Sequence, residues 1–390
     1  MQVREAVIVG AVRSPLGRRN GGLAGINSVD LASSVLRTLV DQTGVDPALI
    51  EDVIMGCVIQ VGEQSLNIAR NAALGAGFPE SVVGTTVDRQ CGSAQQAVHF
   101  AAQGVMCGAY DVVVAGGVES MSRVPMFSNV NTGHGRTYGE SFRRRYGVSE
   151  DVINQGVSAD EIAKRWGFSR TYLDEIAAMS QARALAARES GRFEQEIAPI
   201  EVVGDAGPVI VRQDEGIRPG TTVDTLAKLK PAFGVDGFHT AGNSSQISDG
   251  ASALLIMSRE RADSLGLRPR ARFVSFALSG ADPVLMLTAP IPATAKVLKQ
   301  AGMSLGDVDL VEINEAFASV VAAWQHETRA DMDRVNVNGG AIALGHPVGC
   351  SGARLMVTLL HELERRDLQT GLQTMCEGGG MANATIIERL

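Results

Sequence analysis

An internal repeat is the feature of this sequence that most constrains its fold. Three pairs of segments match at a near-constant offset: 6–9 with 272–275, 44–54 with 302–312, and 91–94 with 350–353. One match of this kind would be noise, but three in the same order predict a duplicated fold. In a duplicated fold, equivalent helix starts lie near one pseudo-twofold axis. We therefore expect the turn at Cys91 and the turn at His346–Cys350 to face the same cleft.

The order of apolar segments predicts an α/β fold with an insert. Short, continuously apolar strands such as Asp111–Gly117 alternate with helices whose apolar residues recur at i, i+3 and i+4. This alternation stops in the middle of the chain and then returns. We predict a first copy over 1–120 that is completed by 245–270, an inserted loop domain over 121–244, and a second copy over 271–390.

Composition and charge exclude several classes of function. The 390 residues carry a formal net charge of −8, whereas nucleic-acid-binding proteins are usually basic. No apolar run reaches membrane-spanning length, and the N-terminus lacks the apolar core and cleavage site of a signal peptide. Five cysteines without paired spacing argue against a disulfide framework and for a reducing compartment. We therefore expect a cytoplasmic protein with no nucleic-acid partner and no membrane partner.

Cys91 lies in a strand–turn–helix segment that suits a reactive thiol. The apolar residues between Ala94 and Val105 have helical spacing, so Cys91 is placed at the start of a helix. The partial positive charge and free N–H groups of a helix N-terminus stabilise a thiolate, which is the reactive form of cysteine. Gly92 allows a substrate to approach the backbone closely. From this segment alone, a buried structural cysteine is an equal alternative.

Three further motifs carry candidate chemistry in the second copy. Asn314 follows a strand, His346 lies in a glycine-framed loop, and Cys376 precedes the glycine run that begins at Gly378. Taken singly, these residues can be a helix cap, a satisfied loop histidine and a small buried side chain. Taken together with Cys91, they form a mechanism that handles a carbanion next to a thioester.

Each part of that mechanism needs the type of residue found. A cysteine nucleophile needs a base, which His346 can supply. The oxygen of a thioester carbanion needs hydrogen-bond donors, which Asn314 and His346 can provide, and glycine-rich turns expose N–H groups for a second oxyanion hole. A second cysteine, Cys376, can move a carbon-bound proton if its pKa is tuned towards neutrality.

Metal and nucleotide sites are not predicted. His346 and Cys350 are four residues apart, as zinc ligands on a helix can be, but Pro347 and Gly349 interrupt such a helix. No CxxC pair completes a zinc site. The glycine run 378–380 is not a nucleotide-binding motif, because no helix can follow it before residue 390.

These motifs, in this order, closely resemble those of the thiolase family. The resembling segments span essentially the whole chain: 88–93 (Asp-Arg-Gln-Cys-Gly-Ser), 240–245 (Thr-Ala-Gly-Asn-Ser-Ser), 314–317 (Asn-Glu-Ala-Phe), 339–347 (Gly-Gly-Ala-Ile-Ala-Leu-Gly-His-Pro) and 376–380 (Cys-Glu-Gly-Gly-Gly). The resemblance implies a five-layer αβαβα duplication with an inserted loop domain. It also implies an acyltransferase without metal or permanently bound cofactor, working as a homodimer or homotetramer.

The resemblance also implies a role for each candidate residue. Cys91 would be acylated, and His346 would activate Cys91 and help to bind the thioester oxygen. Asn314 would hold a water in the first oxyanion hole, while the N–H groups of Cys91 and Gly378 would form the second. Cys376 would be the acid and base at the α-carbon.

Acyl-CoA and coenzyme A are the substrates that the resemblance implies. Arg218 and Ser245 match positions that look like coenzyme A contacts. In the degradative direction, Cys91 would attack the 3-oxo carbon of a 3-oxoacyl-CoA, acetyl-CoA would leave, and coenzyme A would collect the acyl group. The synthetic direction reverses these steps.

The chain departs from short-chain biosynthetic thiolases near the expected acyl pocket. Asn154-Gln155-Gly156 stands in place of a His-Met-Gly pattern, and 286–290 (Met-Leu-Thr-Ala-Pro) replaces Met-Gly-Ile-Gly-Pro. Glu377 stands where a small apolar residue is more usual. The chain is more similar to actinobacterial thiolases of lipid or sterol side-chain degradation. We therefore predict a pocket wider than acetoacetyl-CoA requires.

Three alternatives accompany this interpretation. The first is a short-chain acetoacetyl-CoA thiolase that works in the synthetic direction. The second is a decarboxylating ketoacyl synthase, which Cys376 and the Asn-Glu-Ala-Phe motif disfavour. The third is a non-catalytic, thiolase-like lipid carrier, which is disfavoured because all four chemical residues are present.

Overall fold

The secondary structure alternates between strands and helices at both ends of the chain. The computed structural model describes residues 4–130, 132–204 and 207–390; residues 1–3 of the predicted first copy, and 131 and 205–206 of the predicted insert, lie outside it. The N-terminal part contains β1 (Ala6–Arg13), β2 (Gly17–Arg18), α1 (Ser28–Thr43), β3 (Asp52–Gly56), α2 (Ile68–Gly75), β4 (Val83–Val87), α3 (Ser93–Cys107) and β5 (Val112–Ser120). The middle part contains α4 (Glu140–Tyr146), α5 (Gln155–Trp166), α6 (Arg170–Glu189), β6 (Ile200–Gly204), β7 (Gly207–Val211) and α7 (Val223–Leu226). The C-terminal part contains β8 (Ser248–Ser258), α8 (Arg259–Leu265), β9 (Ala271–Gly280), α9 (Pro290–Ala301), β10 (Leu310–Ile313), α10 (Ala318–Thr328), α11 (Ala341–Leu344), α12 (Ser351–Arg366), β11 (Thr370–Glu377) and β12 (Met381–Arg389).

The strands of the two copies join into one ten-stranded sheet. Its order is β10-β11-β12-β9-β1-β8-β5-β3-β4, and β2 pairs with β8 at the side. Within the copies, β3 is parallel to β5 and β10 is parallel to β11, while β8 and β12 run antiparallel to these strands. The copies meet where β1 and β9 pair through Val7 with Arg272 and Ile8 with Ala271. This short antiparallel ladder is the seam between the two copies.

Helices cover both faces of each copy, so the strands are apolar on both sides. In β5, Val112 and Val114 pack towards α1, whereas Val113 and Ala115 pack towards α3, because successive side chains of a strand point to opposite faces. The two helices α3 and α12 share one buried cluster with strands of both copies, and they form the central layer. Helices α9 and α10 cover the outer face of the second copy. The predicted five-layer αβαβα arrangement is therefore confirmed.

The sequence repeat corresponds to matching elements. Short 3-10 turns at Pro47–Leu49 and Leu305–Asp307 precede β3 and β10, and α3 and α12 each begin just after a cysteine. One strand differs between the copies. The first copy pairs β4 with β3 over five residue pairs, whereas the second copy has only the single bridge Val311–Val335 at this place.

The helices α5 and α6 of the middle part pack over the second copy, whereas the β6–β7 hairpin packs against the buried cluster of the first copy. Helix α5 contacts α10, and α6 contacts α10 and α11, so this part lies beside the segments that carry the expected chemistry. Strands β6 and β7 form a separate hairpin. Among the described residues, no helix is both long enough and apolar enough to cross a membrane.

Candidate active site

Glycines at strand ends bring the two cysteine-bearing turns together. A Cβ at Gly56 would collide with the backbone of Ser93 and Ala94, and a Cβ at Gly117 would collide with the carbonyl oxygen of Gly349. Glycine at these positions therefore allows the start of α3 and the turn before α12 to pack on β3 and β5. Both turns therefore lie on the same side of the sheet.

The turn before α12 is held by a glutamate of the first copy. Glu119, near the end of β5, accepts hydrogen bonds from the N–H groups of Val58 (2.8 Å), Ile59 (3.1 Å) and Gly349 (3.0 Å) and from Gln64 Nε2 (2.7 Å). Four donors satisfy this buried carboxylate. The hydrogen bond to Gly349 fixes the His346–Cys350 turn relative to the first copy.

Cys91 lies at a constrained turn before α3. Gln90 has a φ of 49°, which is in the left-handed region, and Gly92 is the N-cap of the helix. The Cys91 side chain is only 7% exposed. The backbone N–H groups of Gly378 and of Cys91 itself point at its sulfur. The two N–H groups that the resemblance assigned to the second oxyanion hole therefore both face the Cys91 sulfur.

The expectation of a stabilised Cys91 thiolate is wrong for the structure as it stands. Burial, together with the charge of a nearby Glu377 carboxylate, raises the pKa of Cys91 to about 12. The N–H groups of Gly378 and Cys91 lower the pKa, but they offset only part of the cost of desolvating a charge. Cys91 is therefore a neutral thiol at pH 7, and its reaction requires a base.

Cys376, in β11, lies close enough to Cys91 for the charge of one sulfur to act on the other. It is 1% exposed and belongs to an apolar cluster that includes Met286 and Phe317. Burial raises its pKa well above the usual value, and the charge of a Cys91 thiolate raises it further. The expectation of a pKa tuned towards neutrality is therefore wrong, because the two thiols disfavour each other's ionisation. Cys376 is protonated at pH 7, which is the state that donates a proton.

His346 is oriented by a serine and faces an amide. Its Nδ1 lies 2.6 Å from Ser351 Oγ, and Ser351 Oγ donates its hydrogen to the carbonyl oxygen of Pro347 at 2.9 Å. Because the serine hydrogen is used, Nδ1 must carry the imidazole hydrogen and donate it to Ser351 Oγ. The unprotonated Nε2 then faces Asn314 Nδ2 at 3.4 Å. Burial lowers the pKa of His346 to about 3, so the ring is neutral at pH 7 and its Nε2 carries a free lone pair.

Asn314 is not a helix cap. Helix α10 begins after Phe317, which is its N-cap, and Asn314 is fully buried at the end of β10. Its backbone N–H donates to the carbonyl oxygen of Thr374 at 3.1 Å. Its Oδ1 has no hydrogen-bond partner among the described residues. An amide with a free oxygen beside His346 Nε2 is suited to binding a water or a substrate group.

The sequence interpretation missed three residues that hold this site: Ser351, Glu315 and Glu119. Glu315 accepts hydrogen bonds from Ser180 Oγ (2.6 Å), Asn336 Nδ2 (3.0 Å) and the N–H of Ile342 (3.1 Å). It therefore ties the middle of the chain to the loop that precedes His346. The sequence signal was present, because Glu315 and Ser351 belong to the glycine-flanked motifs around Asn314 and His346.

The zinc alternative finds no geometric support. Cys350 Sγ lies 3.3 Å from Ser252 Oγ, while His346 Nδ1 is bonded to Ser351. Among the described residues, no group of three or more His, Cys, Asp or Glu side chains could hold a metal ion.

The two predicted coenzyme A residues lie at the border of the insert. The Ser245 N–H donates to the carbonyl oxygen of Ala316 at 2.9 Å, and Ala316 follows Asn314 and Glu315 in the sequence. The Arg218 side chain is exposed, and its backbone N–H donates to Gln181 Oε1 at 2.8 Å. Gln181 Nε2 in turn donates to the carbonyl oxygen of Ile342 at 3.4 Å. Both residues are thus anchored to the segments that carry Asn314 and His346.

Comparisons with known proteins agree with this arrangement. Residues 6–260 match the model of the thiolase N-terminal domain, and residues 267–389 match that of the thiolase C-terminal domain. The chain is 49% identical over 392 residues to the steroid 3-ketoacyl-CoA thiolase FadA6 of Mycobacterium tuberculosis, covering 99% of this chain and 94% of that protein. It is 44% identical to the 3-ketoacyl-CoA thiolase of Bacillus subtilis, covering 99% of this chain and 100% of that protein.

A solved structure shows the same fold. The crystal structure of the Bacillus anthracis acetyl-CoA acetyltransferase superposes with a TM-score of 0.92 at 42% sequence identity, and all of both chains is covered. These relatives are named as enzymes, so the non-catalytic carrier finds no support. With both family domains matched along almost its whole length, the chain belongs to the thiolase family and is an acyltransferase.

Proposed function

We propose that Cys91, His346, Asn314, Cys376 and Gly378 carry out the cleavage of a 3-oxoacyl-CoA by coenzyme A. The observation that carries this proposal is the proximity of two thiols from the two copies of the fold, Cys91 and Cys376. The N–H of Gly378 points at Cys91, and the charge of Cys91 acts directly on Cys376. The neutral His346 supplies the base that two buried thiols require.

The first half of the reaction moves the acyl group to the enzyme. His346 Nε2 takes the Cys91 proton, and the sulfur attacks the 3-oxo carbon. The N–H groups of Cys91 and Gly378 donate to the oxygen that becomes negative. The bond between the α and β carbons then breaks, and its electron pair goes to the α-carbon of the departing thioester. Cys376 donates its proton to that carbon, which releases acetyl-CoA.

The second half returns the enzyme to its starting state. The Cys376 thiolate takes the proton of the coenzyme A thiol, and the coenzyme A sulfur attacks the acyl-Cys91 carbonyl. The Cys91 sulfur leaves and regains its proton from His346. Asn314 supports the thioester oxygen beside His346, directly or through a water. All steps are reversible, so the same groups also serve the condensation of two thioesters.

We propose further that the acyl group is longer or more branched than acetoacetyl. The apolar cluster around Cys376 includes Leu285, Met286, Leu287 and Phe317, which suits a hydrocarbon chain. The 49% identity to a protein named as a steroid thiolase supports this choice. The other candidate, acetoacetyl-CoA synthesis, is supported by relatives named acetyl-CoA acetyltransferase at 43–44% identity.

A thiolysis panel tests the reaction and the substrate together. The kcat/KM should be measured for 3-oxoacyl-CoA esters from acetoacetyl to long and branched chains, with mass spectrometry of the acylated peptide. We expect the acyl group on Cys91 and a higher kcat/KM for the longer esters. A strong preference for acetoacetyl-CoA would contradict the substrate proposal, and an acyl group on another residue would contradict the mechanism.

The insert over 121–244 is proposed to bind coenzyme A, with Arg218 and Ser245 as contacts. The exposed guanidinium of Arg218 suits a phosphate, and Ser245 lies beside the Asn314 segment. Arg218→Ala should raise the KM for coenzyme A several-fold and leave kcat nearly unchanged.

We also propose a cytoplasmic homodimer or homotetramer. The structure leaves all five cysteines unpaired, as expected for a reducing compartment.

A further inference from the structure

Glu377 is a buried carboxyl group beside Cys91, the proposed nucleophile. It is the last residue of β11, follows Cys376 directly, and is 0% exposed. Neither of its carboxylate oxygens has a well-formed hydrogen bond among the described residues. An ionised carboxylate in such a place has lost its hydration without compensation. The mechanism described above does not use this group.

The side chain of Glu377 faces the turn of Cys91. A Cβ at Gly92 would collide with Oε1 and Cδ of Glu377, so the carboxyl group lies against the residue that follows the nucleophile. Cys376 points to the opposite face of the strand and lies in the apolar cluster of the acyl pocket. The strand end therefore directs a thiol to one side and a carboxyl group towards the start of α3.

The charged groups around Glu377 do not neutralise it. Arg89 is the cation that faces it, yet the two form no ion pair among the described residues, and Arg89 Nε has no hydrogen-bond partner. Burial raises the pKa of Glu377 to about 8, and Arg89 and the N–H of Asn383 only partly oppose this increase. Asp88 acts more weakly than Glu377 on Cys91, and the charge of Cys91 in turn acts on Cys376. Glu377 is consequently protonated at neutral pH.

We propose that Glu377 is a positioning residue that sets the alkaline limit of Cys91 reactivity through its own protonation state. The neutral carboxyl group leaves the developing thiolate unopposed. When Glu377 ionises, its negative charge against Gly92 opposes a second negative charge on the Cys91 sulfur. The residue does not touch substrate and acts only through the charge state of Cys91.

Alkylation of Cys91 tests this proposal without requiring turnover. The wild-type enzyme and Glu377→Gln should be treated with iodoacetamide from pH 6 to pH 10, and alkylation of the Cys91 peptide followed by mass spectrometry. Quantifying this one peptide separates Cys91 from the exposed Cys107. The proposal rests on Cys91 as the proposed nucleophile, but the acylated peptide from the thiolysis panel tests that role separately.

The expected result is a divergence confined to alkaline pH. Below about pH 7, both proteins carry an uncharged group at position 377 and should react at the same rate. Above pH 8, Glu377→Gln should react up to about tenfold faster, because a nearby like charge shifts the pKa of a thiol by roughly one unit. Glu377→Ile should show the same divergence, and Glu377→Asp should keep the wild-type profile.

Glu260→Gln is the matched control, because Glu260 is exposed at the start of α8. It should follow the wild-type profile at every pH. Superimposable profiles for wild type, Glu377→Gln and Glu377→Ile would overturn the proposal. A uniformly slower reaction of the variants at all pH values would also overturn it, because that result would show a merely structural role.

Discussion

The two copies of the fold place a glutamate at equivalent strand ends, and the two glutamates have opposite surroundings. Glu119 in β5 faces Gly349, and Glu377 in β11 faces Gly92, so each glutamate reaches the turn of the other copy. Glu119 accepts hydrogen bonds from four N–H groups, whereas neither oxygen of Glu377 has a well-formed hydrogen bond in the described part of the chain. The carboxylate of the first copy fixes a turn, and the carboxyl group of the second copy is a titratable group next to Cys91.

The cysteines of the two turns, Cys91 and Cys350, also differ in their surroundings. Burial raises the pKa of both Cys91 and Cys350 to about 12, so acidity does not distinguish them. Cys350 is fully buried and contacts Ser252, while the N–H of Gly378 points at Cys91 and the charge of Cys91 acts on Cys376. The comparison teaches that a helix start does not make a cysteine catalytic. What distinguishes Cys91 from Cys350 is the set of groups from other segments that point at its sulfur.

Replacing each cysteine with alanine should reveal the largest difference between the two turns. Cys91→Ala should lower kcat by roughly 10⁴-fold or more, because the acyl group loses its attachment site. Cys350→Ala should keep kcat within a few-fold and cost about 1 kcal/mol of unfolding free energy from the lost buried sulfur. Thiolysis rates and denaturant unfolding measure the two effects. Comparable losses of activity in both variants would contradict the assignment.

The second thiol should be separable from the first. Cys376→Ala should lower kcat by about 10²- to 10⁴-fold, the usual range for loss of a general acid. Cys91 should still accept an acyl group from acyl-CoA, since its oxyanion-hole donors are backbone N–H groups. Rapid quenching and mass spectrometry of the Cys91 peptide should show the acyl-enzyme accumulating. An unacylated Cys91 in this variant would show that the two thiols do not have distinct roles.

The two glutamates should have opposite effects on stability. Glu119→Gln should lower the unfolding free energy by about 2 kcal/mol, because an amide nitrogen cannot accept the N–H hydrogen bonds that a carboxylate accepts. Glu377→Gln should be neutral or stabilising at pH 8. Urea denaturation of both variants checks the contrast.

The pH dependence of stability follows from the raised pKa of Glu377. Between the unfolded value of 4.5 and about 8, the folded protein binds a proton that the unfolded chain releases. The contribution of Glu377 to stability therefore falls as the pH rises through this window. The gain from Glu377→Gln should be larger at pH 8 than at pH 5. A gain that is independent of pH would contradict an ionising group at this position.

The smallest expected effect concerns the orientation of His346. Ser351→Ala should lower kcat roughly tenfold, because Nδ1 loses its acceptor and the ring no longer holds Nε2 unprotonated towards Asn314. Ser252→Ala is the matched control, since it removes a buried hydroxyl group beside Cys350 instead of His346. Steady-state thiolysis of both variants is the measurement. Equal kcat values would show that Ser351 does not orient the base.

Patterns along the chain were sufficient for the fold and for the candidate residues. The three matched segments predicted the duplication, and the alternation of apolar strands with helices predicted an α/β fold. The glycine-flanked motifs singled out Cys91, Asn314, His346 and Cys376, because those residue types suit thioester chemistry. The fold prediction is confirmed because periodicity is a local property, whereas the roles of the four residues stay predictions.

Only the tertiary structure decided the charge states and the supporting contacts. The predicted thiolate at Cys91 is overruled by burial, and the carboxylate that opposes it at alkaline pH belongs to Glu377, 286 residues further along the chain. The tautomer of His346 depends on Ser351, and the difference between Glu119 and Glu377 depends on which N–H groups surround each carboxyl group. Desolvation and hydrogen bonding are set by the atoms that fill the space around a group. Because residues distant in sequence supply those atoms, spacing along the chain does not contain this information.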